Sequence, residues 1–254
     1  MSWRISLGSF VDALPANTIF YRFCKRYVNH YNGDNNSDMR TNGELHWLRE
    51  ILPECDTVFD VGANIGDWTA LALSIYPFLQ VHCFEPCSAA FNQLQSRKLA
   101  REGIFINHFG LSDSAGEATI YVFENGVGTN SLYWRSGLNA EQKSREIVSL
   151  DTLDAYCERS DIRHIDLLKL DVEGHEFSVL KGATRMLKEG RIYRIQFEYG
   201  GTYIDARILL KDMFELLNNY HFHLYKIYPK ELRFIERYHQ RLESFQYSNW
   251  VAIK

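Results

Sequence analysis

Cysteine is sparse and unpaired in this sequence. The five present (Cys24, Cys55, Cys83, Cys87 and Cys157) are odd in number and scattered, with no C-x-x-C pair. That pattern suggests neither a disulfide framework nor a zinc site, and the five read as reduced residues. A long hydrophobic run is also missing. Ile5 to Val11 is apolar but short, and Asp12 interrupts it. With no signal peptide and no membrane span to read, the expectation is a cytoplasmic protein without stable membrane insertion. Charge of one sign is lacking too: 28 basic residues stand against 32 acidic ones, a formal charge of −4. No nucleic-acid partner follows from such a balance. The sequence has no internal repeat and no low-complexity tract.

What is present is apolar content, 46% over 254 residues, enough for one α/β domain with elaborations. Residues 1 to about 31 have helical spacing, with Phe20, Phe23, Cys24, Tyr27 and Val28 on one side. Arg22, Lys25 and Arg26 lie between them and read as a solvated face. A polar loop, Asn32 to Asn42, leads to a short helix from Glu44 to Leu52. Residues 1–50 are thus expected to form an N-terminal helical extension and 51–254 the main domain.

From Thr57 onward strands and helices alternate. Strands are predicted at 57–61, 80–84, 104–107, 165–170 and 192–199, with helices at 68–76, 89–102, 151–158, 176–188 and 205–219. This rhythm predicts a doubly wound, mostly parallel sheet. Two closing strands, 222–227 and 250–253, predict an antiparallel final strand, with a charged aromatic segment from Pro229 to Tyr247 between them. Residues 116–149 break the rhythm and read as an insertion at the carboxyl edge of the sheet. Its loop carries Ser131, Tyr133, Trp134 and Arg135, placed either to cover an acceptor or to make no contact.

Asp60-Val61-Gly62-Ala63-Asn64-Ile65-Gly66 lies where a strand turns into a helix. Its glycines let the backbone approach a ligand closely. A dinucleotide fingerprint would need glycine at 64 and 67, where Asn64 and Asp67 stand, so an NAD-type oxidoreductase is disfavoured. An acid at Asp60 suits a ligand with a positively charged amino group, such as the methionine part of S-adenosylmethionine. Glu85, in Phe84-Glu85-Pro86, ends the second strand and can accept ribose hydroxyls. Asp171 ends the strand Leu167-Leu168-Lys169-Leu170 on the same sheet edge, and Glu198 ends the next.

The DVGANIG loop, the FEP strand end and above all LLKLDVEGHEFSVLKGA resemble the FkbM family of methyltransferases, from roughly Thr57 to Tyr199. The resemblance implies a class I methyltransferase fold, Rossmann-like, using S-adenosylmethionine on hydroxyls of sugars or natural products. By motif position it places Asp60, Gly62, Asn64, Gly66 and Thr69 around the methionine and ribose parts. Glu85 and Pro86 would face the ribose, Leu111 and Ser112 the adenine, and Asp171 the methyl group. An alcohol must also lose its proton, so Asp171, Glu198 and His175 are the candidate catalytic bases. No metal is assigned, although Asp171 and Glu198, ending adjacent strands, could share a magnesium ion. A degenerate fold serving only as a binding module is the alternative from another class.

Overall fold

Residues 16–97, 102–123, 130–135 and 142–254 are described by a computed structural model of the chain. The first half runs α1 (Thr18–Asn32), α2 (Glu44–Ile51), β1 (Thr57–Val61), α3 (Asp67–Ile75), β2 (Gln80–Phe84), α4 (Ser88–Ser96) and β3 (Ile104–Asn107). Three strands of a smaller sheet follow: β4 (Gly110–Leu111), β5 (Gly116–Phe123) and β6 (Gln142–Asp151). The alternation resumes with α5 (Leu153–Arg159), β7 (Ile165–Leu170), α6 (Glu176–Lys181), α7 (Thr184–Lys188), β8 (Ile192–Tyr199), α8 (Thr202–Ala206) and α9 (Leu210–Asn219). The chain closes with β9 (His223–Tyr228), β10 (Glu231–Phe234) and β11 (Ser248–Ile253).

The main sheet has eight strands in the order β10-β9-β11-β8-β7-β1-β2-β3. From β3 to β8 all neighbours are parallel, while β11 runs antiparallel to both β8 and β9. β1 and β7 are buried at every position and are mainly apolar, but they also enclose Asp60, Asp166 and Lys169. Successive residues serve opposite faces. Phe59 and Leu168 pack with Phe197 and Trp250 in one layer, whereas Val58 and Leu167 pack with Trp47, Val81 and Val251 in the other.

After β3 the chain returns to the far side of β1 and lays down β7 there. The strand order therefore reverses between β1 and β7, and a crevice opens outside their carboxyl ends. The insertion forms its own three-stranded sheet, β4-β6-β5, beside that crevice.

Several sequence expectations change. The helix expected over 176–188 is two, α6 and α7, because Gly182 presses against the 110–113 turn. A Cβ there would lie 1.9 Å from the Ser112 carbonyl oxygen. The helix expected from 205 is also divided, with Arg207 in the left-handed region at φ 58° between α8 and α9. β10 was not expected; it pairs with β9 as a hairpin inside the charged aromatic segment. The helix expected from 89 to 102 is described only to Ser96, and residues 1–15, 124–129 and 136–141 lie outside the described residues. The boundary drawn at residue 50 matches no break in packing, since Trp47 and Leu48 share a core layer with Val58 and Leu167. Asp34 is likewise buried, in an ion pair with Lys226 of β9. No helix among the described residues is long and apolar enough to cross a membrane.

Candidate active site

Gly62 follows β1 with φ 81°, and a Cβ on it would stand 1.9 Å from the carbonyl oxygen of Asp171. Only glycine lets the β1 and β7 ends approach so closely. Asn64, also left-handed at φ 50°, turns its backbone N–H toward Glu85 Oε2 at 2.8 Å. The Cys87 N–H donates to Glu85 Oε1 at 2.9 Å. Each carboxylate oxygen of Glu85 is thus fixed by one amide and keeps a lone pair for a ligand. Burial outweighs those two bonds and pushes the Glu85 carboxyl up to about 7. Gly62, Asn64, Glu85, Pro86, Leu111 and His175 line the cavity at this point, with Ile120, Ser131 and Leu132 of the insertion closing its outer side.

A second cleft of about 440 Å³ opens on the other side of Gly62. Asp171 and Glu198, from the ends of β7 and β8, face into it together with Lys169, Gln196, Trp68 and Asn249. Lys169 Nζ lies 3.1 Å from Asp60 Oδ1 and 3.2 Å from Asp171 Oδ2. Despite burial, these two carboxylates hold its ammonium well above the ordinary lysine range. Glu198 makes no such pair. Burial, and then the negative charges of Asp171, Glu173, Glu176 and Glu44, hold its carboxyl well above the usual range. The cavity and the cleft share one wall, made by Gly62, Asn64, Asp171 and Glu173.

The structure brings Gly62, Asn64, Glu85, Pro86, Leu111 and Asp171 together at the first cavity, as their positions in sequence imply. Asp60 and Thr69 stand elsewhere. Both are 0% exposed, and the Asp60 carboxylate is occupied by Lys169 and by the Thr69 hydroxyl at 2.6 Å. Gly66 caps α3 at φ 86° and lines neither cavity. Ser112 is 4% exposed, its hydroxyl 2.9 Å from His175 Nε2. His175 is half-buried rather than on the surface, and its Nδ1 lies 2.9 Å from the Tyr133 hydroxyl. With both ring nitrogens engaged and burial pushing its pKa down to about 4, it has no free lone pair to offer as a base.

Three residues of the cleft carried no signal in the sequence: Glu44, Gln196 and Asn249. Glu44, 3% exposed at the start of α2, accepts from Asn42 Nδ2 at 2.6 Å, Gln196 Nε2 at 2.7 Å and Asn249 Nδ2 at 2.8 Å. An acidic residue opening a helix beside an Asn/Asp-rich loop was the available clue. From the inserted loop, Arg135 lines the second cleft and pairs with Glu173 at 2.6 Å, while the Ser131 hydroxyl donates to the Glu173 carbonyl at 2.9 Å. Trp134 instead packs edge-on against Tyr121, centroids 5.7 Å apart. Among the described residues, no three His, Cys, Asp or Glu side chains are grouped to hold a metal ion.

The model of the FkbM methyltransferase domain matches residues 60–224. The hexuronic acid methyltransferase AglP of Haloferax volcanii is 27% identical over 175 residues, 67% of this chain and 69% of that one. The 2-O-methyltransferase NoeI of Sinorhizobium fredii is 24% identical over 175 residues, covering 64% and 71%. Across the curated relatives it matches, the aligned part spans 59% to 71% of their length. Among solved structures, the plantazolicin methyltransferase BpumL in complex with SAH resembles the chain with a TM-score of 0.45 and 8% identity, over 91% and 89% of the two chains. The chain belongs to the FkbM methyltransferase family.

Proposed function

We propose, from that membership and from the two joined cavities, that the chain methylates a hydroxyl of a sugar or natural product. S-adenosylmethionine would lie in the first cavity and the acceptor in the second cleft. The observation that carries this reading is the shared wall of Gly62, Asn64, Asp171 and Glu173. Across it, two ligands can meet at the carboxyl ends of β1 and β7, where an open α/β sheet holds its substrates. The relatives' names, a hexuronic acid methyltransferase and a 2-O-methyltransferase, support a hydroxyl acceptor.

The first cavity fits the donor. Glu85 presents a fixed carboxylate for a diol, and Leu111 with Pro86 offers an apolar side for a flat base. Gly62 leaves no room for a side chain. The Asn64 Oδ1 is buried without a partner among the described residues, an acceptor that a bound amino or hydroxyl group would satisfy. When bound, S-adenosylmethionine supplies an electrophilic methyl group.

The chain's part is to position the acceptor oxygen and take its proton. Alignment of that kind contributes roughly 7–11 kcal/mol in well-oriented reactions. Glu198 is our candidate base: it lines the cleft, forms no ion pair among the described residues, and burial raises its pKa, which makes it a stronger base than an ordinary carboxylate. Asp171 is held at the wall by Lys169, while Asp60, itself fixed by the Thr69 hydroxyl, holds Lys169 from behind. Ser112 and Tyr133 lock the His175 ring as a strut of the first cavity. A cytoplasmic location accompanies this reading, supported by five free cysteines.

Calorimetric titration tests it directly. S-adenosylmethionine should bind, NAD should not, and Glu85→Ala should weaken the former by about tenfold or more, as loss of a charged hydrogen bond does. Absence of binding to S-adenosylmethionine would remove the assignment.

A further inference from the structure

The second cleft carries more carboxyl groups than cations among the described residues. Its walls carry the carboxyl groups of Glu44, Asp171, Glu173 and Glu198 and, among the described residues, two cations, Lys169 and Arg135. Both cations are already committed. Lys169 sits between Asp60 and Asp171, its side chain 7% exposed. Arg135 pairs with Glu173 at 2.6 Å and has Asp205 at 3.9 Å on its other side. Glu44 and Glu198 have no ion pair among the described residues. Three neutral amides, from Asn42, Gln196 and Asn249, hold Glu44 instead.

A second observation points to a ligand. Gln196 lines the cleft and is 1% exposed, yet its Oε1 has no hydrogen-bond partner among the described residues while its Nε2 donates to Glu44. An orphaned acceptor in a cleft wall is satisfied by a donor that arrives with a ligand. Carboxylate oxygens likewise accept and do not donate when ionised. The wall therefore asks for hydroxyl or ammonium donors and, among the described residues, offers no free cation to an anion.

Resting on the reading of this cleft as the acceptor site, we infer that the acceptor is a polyhydroxylated group without negative charge, neutral or amino-bearing, and that a carboxylate-bearing sugar is rejected. Its hydroxyls donate to Glu44, Glu198 and the Gln196 oxygen. A uronate carboxylate would be desolvated in a confined site beside Glu44 and Glu198 with no free cation among the described residues to pair with, which costs several-fold to many-fold in affinity. This sets the chain apart from the hexuronic acid methyltransferase it resembles. Differential affinity of this kind is specificity by repulsion as well as attraction.

The experiment is saturation-transfer NMR on the full chain loaded with S-adenosylhomocysteine. The probes are methyl glycosides of glucose, galactose and mannose, their 2-amino analogues and their uronic acids. At least one neutral or amino sugar should bind, about tenfold or more above its uronic acid. Glu44→Gln should narrow that preference several-fold while leaving affinity for S-adenosylhomocysteine unchanged, since Glu44 does not line the first cavity. Equal or stronger binding of a uronic acid overturns the inference, as does failure of every neutral and amino sugar to bind. In either case the functional reading survives if calorimetry finds S-adenosylhomocysteine bound. If that ligand fails to bind, both fall.

Discussion

The Lys169 ammonium lies 3.1 Å from the Asp60 carboxylate, with Asp60 fully enclosed and Lys169 nearly so. This pair crosses from β7 to β1 beneath the wall that the two cavities share. It places Asp60 behind the site as the counter-charge of a lysine that in turn holds Asp171.

Lys169→Met should leave Asp60 as an unpaired buried charge. Unpairing a buried ion pair costs about 3–5 kcal/mol, so denaturant unfolding should register a loss of that order. Adding Asp60→Asn should recover a large part of it, and a double-mutant cycle measures the coupling.

Glu198→Gln should reduce kcat by roughly 10²- to 10⁴-fold, the usual contribution of a positioned base, with affinity for S-adenosylmethionine retained. A base works ionised, so wild-type activity should fall as pH drops through the raised Glu198 pKa, above the ordinary carboxylate range. A pH–rate profile of the variant should lack that limb.

The Glu85 carboxyl, raised to about 7, gives donor binding its own pH dependence. Hydroxyl donors stabilise the ionised form, so binding releases a proton, and affinity should weaken as pH is lowered through about 7. Calorimetry in buffers of different ionisation enthalpy would detect the released proton, and Glu85→Gln should abolish it.

Glu176 is 1% exposed, accepts the Val172 N–H at 3.0 Å through Oε1, and has a pKa raised by burial to about 8. A folded pKa above the unfolded value of 4.5 means that the native state binds the extra proton. Its stabilising effect is full below about 4.5 and lost as pH rises toward 8, with a slope of up to about 1.4 kcal/mol per pH unit. Glu176→Gln should flatten the measured stability–pH curve across that window.

Gly62→Ala must put a Cβ at φ 81° against the Asp171 carbonyl. Left-handed strain and overpacking together should cost about 2–4 kcal/mol. Thermal unfolding should report the loss, and S-adenosylmethionine titration a matching defect.

The sequence by itself determined the doubly wound core and the first cavity. Buried strands are mainly apolar runs, and left-handed turns favour glycine within a few residues, so Thr57–Val61, Gly62 and Glu85 announce themselves locally. The tertiary structure alone decided which polar groups work at the site. Asp60 meets a lysine 109 residues away, and Glu44 meets Gln196 and Asn249 at separations of 152 and 205. His175 has both ring nitrogens engaged, by Ser112 and Tyr133, 63 and 42 residues distant. Sterics and hydrophobic period act over a few residues and can be read along the chain. Desolvation and charge pairing depend on whatever the fold brings alongside, and that is fixed only when the strands have been placed.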